Sequence, residues 1–257
     1  MDNTMLVAVA SSFMTTLVAK GAEAPAQTLN LLWKSTLGRW DKSMEEYIAR
    51  RNGDVKEYAE EIAIETDKIP EDKIKSEIDI SIVGPTLEAS RYYIGNAEIR
   101  RMFAKLIAAS MDSRLDGKVH HAYVEIIKEM NPIDAKVLAD LNNPSYVIYY
   151  ALNRHGVGSI FEDLYMSDLF TEPSLETAIS ISNLERLGLI RLYRYRNGLS
   201  VGTDGLLGPM VERFKNTEFY KCIPEAVDPY FTIDQVTITT LGGCLGAYVF
   251  RINVVVK

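Results

Sequence analysis

PTLEASRYYIGNAEIRRMFAKLIAASMDSRLDGKVHHAYVEIIKEMNPIDAKVLADL, residues 85–141, decides the fold class of this chain. It gives one helix signal after another. Pro85 suits a first helical turn, where the amide it lacks would have no intrahelical partner, and predicts a helix over about 86–94 that Gly95 ends. Asn96 has the short acceptor side chain of an N-cap. Behind it Ile99, Met102, Phe103, Leu106, Ile107 and Ser110 recur at helical spacing on one face. Asp116-Gly117, within a loop over 112–118, reverses the chain. Tyr123, Ile126, Ile127 and Met130 line a further helix. Asn131-Pro132 then sets a cap before a proline at the first helical position, ahead of Ile133, Val137, Leu138 and Leu141. These positions make the stretch a scaffold core.

Upstream, the pattern stays helical. Met44, Tyr47, Ile48, Val55, Tyr58, Ile62 and Ile69 recur at three-, four- and seven-residue steps, one stripe of an amphipathic helix over about 41–67. Asn52-Gly53 splits or kinks it, because glycine is a poor helix former. Its charged remainder, including Glu57, Glu60 and Glu61, is read as a solvated face. A helix over about 28–37 carries Leu29, Leu32, Trp33 and Leu37, after a break at 21–25. Residues 5–19 hold no charge, but Ser11, Ser12, Thr15 and Thr16 dilute the apolar run and Asp2 stands where a secretory signal would be basic. The run is also shorter than the about 20 apolar residues of a membrane span. It is read as a helix packed on protein, with membrane contact the lesser alternative.

Downstream of Pro144 the texture changes. Residues 146–152 are aromatic and β-branched and suit a strand or a buried helix, whereas 160–170 reads as helical. Pro173 to Gly188 reads as a helix with a glycine C-cap, followed at 189–196 by a strand alternating apolar and basic residues. Asn197-Gly198 turns it. An irregular insertion leads to a second strand at 235–239 and a closing helix at 240–250, weakened by Gly242, Gly243 and Gly246. The expected architecture is mainly α: a helical bundle over 1–131, then a winged-helix-like α+β domain over 132–257.

The 257 residues suffice for a substantial core, and a net charge of −7 argues against a protein built to coat DNA or an anionic membrane. Cys222 and Cys244 form no CxxC and read as reduced thiols of a cytoplasmic protein. His121 and Glu125, four apart beside His120, lack a third ligand at metal-site spacing. The glycines of 202–208 lack the lysine and hydroxyl of a phosphate loop, and no serine sits in a nucleophile elbow. The expectation is therefore a protein that is not an enzyme and holds no cofactor or metal.

The helix over 173–188 has two faces. Thr177, Ile181, Leu184 and Leu187 face one way, while Leu175, Ile179, Ser182 and Arg186 face the other. A base-reading helix would show several Arg, Lys, Asn or Gln outward. One arginine beside two aliphatics suits a protein contact better, so Leu175, Ile179, Ser182 and Arg186 form the candidate interaction surface. For the alternative, a DNA-binding regulator, Arg191, Arg194 and Arg196 on the following strand are the candidate contacts.

Three segments of the central stretch, residues 85–92, 98–111 and 119–138, resemble the abortive infection alpha family of bacterial proteins associated with phage defence. His121 stands where the family pattern usually has proline. A weaker similarity runs upstream through 41–69 and downstream through 183–190 and 236–242. The resemblance implies a bacterial protein acting in phage defence and brings no catalytic residues; with the reduced thiols and the outward Leu175 and Ile179, the expectation is a cytoplasmic protein acting through a protein partner or self-association. A membrane-perturbing effector using residues 5–19 is the second alternative.

Overall fold

The computed structural model describes residues 11–37, 51–141, 145–152, 160–194, 204–223 and 230–247. The expectations for 38–50 (with Met44, Tyr47 and Ile48), for residues 5–10, for Asn197-Gly198 and for Arg196 lie outside them. The chain is mainly helical, with an antiparallel four-stranded sheet in its C-terminal part. It divides into two units, one reaching to Met130 and the other over Asn131–Gly246.

The first unit contains helices α1 (Ser11–Ala19), α2 (Glu23–Thr36), α3 (Asn52–Asp67), α4 (Ile80–Tyr93), α5 (Ala97–Met111) and α6 (Ala122–Lys128). At its N-terminal side Phe13, Trp33 and Tyr58, all buried, pack in sequence as tilted pairs with ring centroids 5.3 and 5.6 Å apart. Helix α5 is the central member. Asn96 caps it, its Oδ1 accepting the N–H groups of Glu98 and Ile99, a cap that stabilises by about 1 kcal/mol. From Ile99 to Met111 its apolar side chains are buried, each worth about 1.5–3 kcal/mol for the larger ones. Tyr93 Oη donates to the Lys128 carbonyl (2.8 Å), joining α4 to the end of α6.

Two expectations for this unit are corrected. Helix α4 begins at Ile80 under an Asp79 cap, so Pro85 lies inside it rather than opening it. The proline removes the donor for the Ser81 carbonyl, and both residues are on the exposed face, where that carbonyl is open to solvent. Nor is the acidic stripe of α3 merely solvated. Arg100 of α5, 3% exposed, forks onto Glu61 (3.1 Å from Nε to Oε2 and from Nη2 to Oε1), bonds Glu57, and reaches Asp54 at 3.4 Å. Its Nη1 also donates to the Ile94 carbonyl at 3.0 Å.

The second unit runs α7 (Pro132–Asp140), β1 (Ser145–Ala151), β2 (Ile160–Tyr165), α8 (Leu175–Arg186), β3 (Ile190–Tyr193), α9 (Asp204–Lys215), α10 (Glu218–Lys221), β4 (Tyr230–Ile238) and α11 (Thr240–Leu245). The sheet order is β2-β1-β4-β3, all antiparallel, with Val147 opposite Tyr165 on one side and Asp234 on the other. Tyr150 and Phe231 of the sheet meet Phe214 and Tyr220 of α9 and α10, with Tyr150–Phe231 centroids 4.6 Å apart.

Residues 160–165 form a strand, against the helical expectation. Asp163 has φ +56°, and the register against β1 slips by one between Ile148 and Tyr150. A bulge of this kind adds a residue, so Phe161 and Leu164, three apart, both join the cluster around Tyr150. The three-residue spacing that imitates a helix is a bulged strand. Likewise the region read as an irregular insertion contains α9 and α10. The connection between β3 and β4 is therefore much more than a short wing turn, and the β1–β2 hairpin extends the sheet beyond β4.

Candidate functional site

Helix α8 carries the candidate surface. Ser174 caps it in a reciprocal box: Ser174 Oγ accepts the Thr177 N–H (3.1 Å), and Thr177 Oγ1 accepts the Ser174 N–H (3.3 Å). It closes on a Schellman motif, in which Gly188 at φ +71° lets its N–H reach the Glu185 carbonyl (2.9 Å) and the Leu189 N–H reach that of Leu184 (3.0 Å). With both ends fixed, the inward face buries Thr177, Ala178, Ser180, Ile181 and Leu184. Outward stand Leu175 and Ile179, 61% and 66% exposed, with Ser182 and Arg186 also exposed.

Beside Ile179 lies a hollow of about 420 Å³ lined also by Pro132, Ile133 and Glu176. At its wall Asp134 is buried, with three donors on its carboxylate: Ser180 Oγ (2.6 Å), Asn183 Nδ2 (2.8 Å) and the Asn131 N–H (2.8 Å). Hydrogen-bonding this carboxylate removes the penalty of burying it and locks α7 to α8. Asn183 Oδ1 in turn accepts from Arg186 Nε (3.1 Å) and Nη2 (2.8 Å), so the Arg186 head is oriented along the helix.

The basic strand residues separate. Arg191 is exposed. Arg194 Nη1 and Nη2 grip Asp163 at 2.7 and 3.2 Å, Nη2 lies 3.4 Å from Glu185, and Nη1 lies 3.6 Å from buried Asp234. The Asp163 hydrogen bond raises the Arg194 pKa, with the other two carboxylates adding to it. Ser182 Oγ also contacts Asp163 Oδ2, at 3.3 Å. Asp134, Asp163 and Asp234 are the site residues that sequence reasoning missed. Asp134 had a usable signal, three residues after Asn131 in a capping-box spacing. Asp163 and Asp234 had none, since neighbouring residues do not reveal a fold-back onto Arg194.

The histidine pair lies at the start of α6, where His120 Nδ1 accepts the Ala122 N–H (3.1 Å). Among the described residues no group of three His, Cys, Asp or Glu side chains is placed to hold a metal ion. Among them too, no helix is long and apolar enough to cross a membrane. Cys222 and Cys244 are not joined by a disulfide.

The outward apolar face of α8 is anchored by polar networks at both ends of the helix, and sequence comparison supplies the family. The sequence model described as Abortive infection alpha matches residues 50–241, most of the chain, so the chain belongs to that family. Membership ties it to abortive infection. No curated protein and no solved structure matches it significantly.

Proposed function

We propose that this protein acts in phage defence in the bacterial cytoplasm without catalysis of its own, by contact with a protein partner or a second copy across α8. The observation that carries this reading is the exposure of Leu175 and Ile179 one turn apart, on a helix held rigidly at both ends and beside the Pro132–Ile133 hollow. Large aliphatic side chains kept in water on an ordered face mark a contact surface. The nucleic-acid alternative is weakened because Arg194 is surrounded by Asp163, Glu185 and Asp234, which would repel phosphate. Membrane insertion of residues 5–19 is weakened because Phe13 and Leu17 of α1 are buried within the bundle.

The test is a Leu175→Asp, Ile179→Asp double variant. Both positions are exposed, so thermal stability should stay within about 1 kcal/mol of the parent. Phage plating efficiency should rise to that of cells lacking the gene, and self-association measured by sedimentation, or co-purification of a partner, should fall. A folded double variant with full protection and unchanged association would overturn the reading.

A further inference from the structure

We infer that the hollow where the end of α3, the end of α5 and the 112–118 loop meet is a binding site for a small organic phosphate. Its volume is about 360 Å³, inside the about 300–1,000 Å³ typical of small-molecule sites and larger than a bare ion requires. Four cations line it, Lys68, Lys105, Arg114 and Lys118, against two acids, Glu65 and Asp112. The lining thus carries two more positive than negative charges, four less two, in a chain whose net charge is −7. Apolar surface from Ile69, Ala108 and Ala109 completes it and suits the organic part of a ligand.

Both acids are bound to cations of the same hollow. Glu65 Oε1 accepts from Lys68 Nζ at 2.7 Å. Asp112, buried, takes Arg114 Nε at 2.9 Å and Nη2 at 2.5 Å, and its Oδ1 also accepts the Arg114 backbone N–H (3.0 Å). Arg114 Nη1 has no acceptor among the described residues. The Asp112 backbone is itself fixed by its bridge to Ile74, while the Lys75 N–H bonds the Met111 carbonyl (2.9 Å). The guanidinium is therefore oriented before any ligand arrives, which lowers the ordering cost of binding. Arginine forks and lysine heads are the side chains that recognise phosphate oxygens. Asp72 also acts on Arg114, but Lys73 holds its carboxylate at 2.7 Å.

A simpler role for these cations would be to neutralise the carbonyls ending α3. That task is already taken by Lys20, whose Nζ donates to the carbonyls of Asp67 and Ile69, the latter at 2.7 Å. Within the hollow, Lys68 and Arg114 pair with its two acids and Lys118 Nζ donates to the Arg114 carbonyl (3.3 Å), which still leaves the lining net positive.

Calorimetric titration of the full chain with ATP tests this, with inorganic phosphate and citrate as parallel titrants. The expected result is saturable ATP binding, tighter than that of phosphate or citrate and weakening with salt. A Lys105→Gln, Arg114→Gln variant should raise the ATP Kd about tenfold or more, the loss of charge-assisted hydrogen bonds. Arg186→Gln, in the other unit, should leave it unchanged. Lys68→Gln provides the same readout should the double variant melt early. Absence of saturable ATP binding, citrate binding as tightly as ATP, or an ATP Kd insensitive to both variants would each overturn the proposal.

Discussion

Arg100 is 3% exposed yet keeps its charge, because Glu61 and Glu57 and the Ile94 carbonyl replace the water it loses. Burial lowers the guanidinium pKa, and the Glu61 and Glu57 contacts outweigh that and raise it. Removing one partner of a buried ion pair costs about 3–5 kcal/mol, because the other charges are left behind. Arg100→Ala should fall at the lower end, about 3 kcal/mol, since Glu57 is 59% exposed and water can reach it. Urea unfolding would show this as a lower midpoint with an unchanged slope, and an unshifted midpoint would refute the role. None of this was readable from the acidic stripe. Glu61 lies 39 residues from Arg100, and a stripe facing water has the same spacing as one facing a buried cation.

At the scale of elements, Gly242 separates two expectations. Read as a helix residue it is a weakness, and Gly242→Ala should stabilise by about 1 kcal/mol. In the structure a Cβ there would lie 2.0 Å from the Leu189 carbonyl oxygen, so α11 approaches the turn between α8 and β3 too closely for a methyl group. Thr239 fastens the same turn, its N–H donating to the Leu189 carbonyl (3.0 Å) and its hydroxyl to that of Gly188 (2.6 Å). Gly242→Ala should therefore destabilise by about 1–3 kcal/mol, as overpacking does. Thermal unfolding decides between the two signs. Helix α8, with its apolar spacing and Gly188 C-cap, was legible because its signals are local. Strand β2 was not, because the Asp163 bulge matters only when β1 lies beside it.

For the whole molecule, the measurable consequence is acid sensitivity. The Ser81 hydroxyl and N–H hold the Asp79 carboxyl below the usual range. Burial pushes the Asp112 carboxyl up, but the Arg114 hydrogen bonds and charge more than offset it and leave it lowered. A carboxyl with a depressed folded-state pKa stabilises fully above its unfolded pKa of about 4, and that contribution is lost as pH falls through the folded value. Urea midpoints should hold near neutrality and drop below pH about 4, with Asp112→Asn flattening part of the decline. A midpoint equal at pH 7 and pH 3 would contradict the assignment. Across the chain, the sequence by itself determined the helices with local caps and stripes, the outward placement of Leu175 and Ile179, and the family. Tertiary structure alone decided that β2 is a strand, that Arg194 is ion-paired with Asp163, Glu185 and Asp234, and that four cations share a hollow. The reason is physical: caps and periodicity act over one or two turns, whereas bulges, ion networks and cavities arise only when distant segments meet.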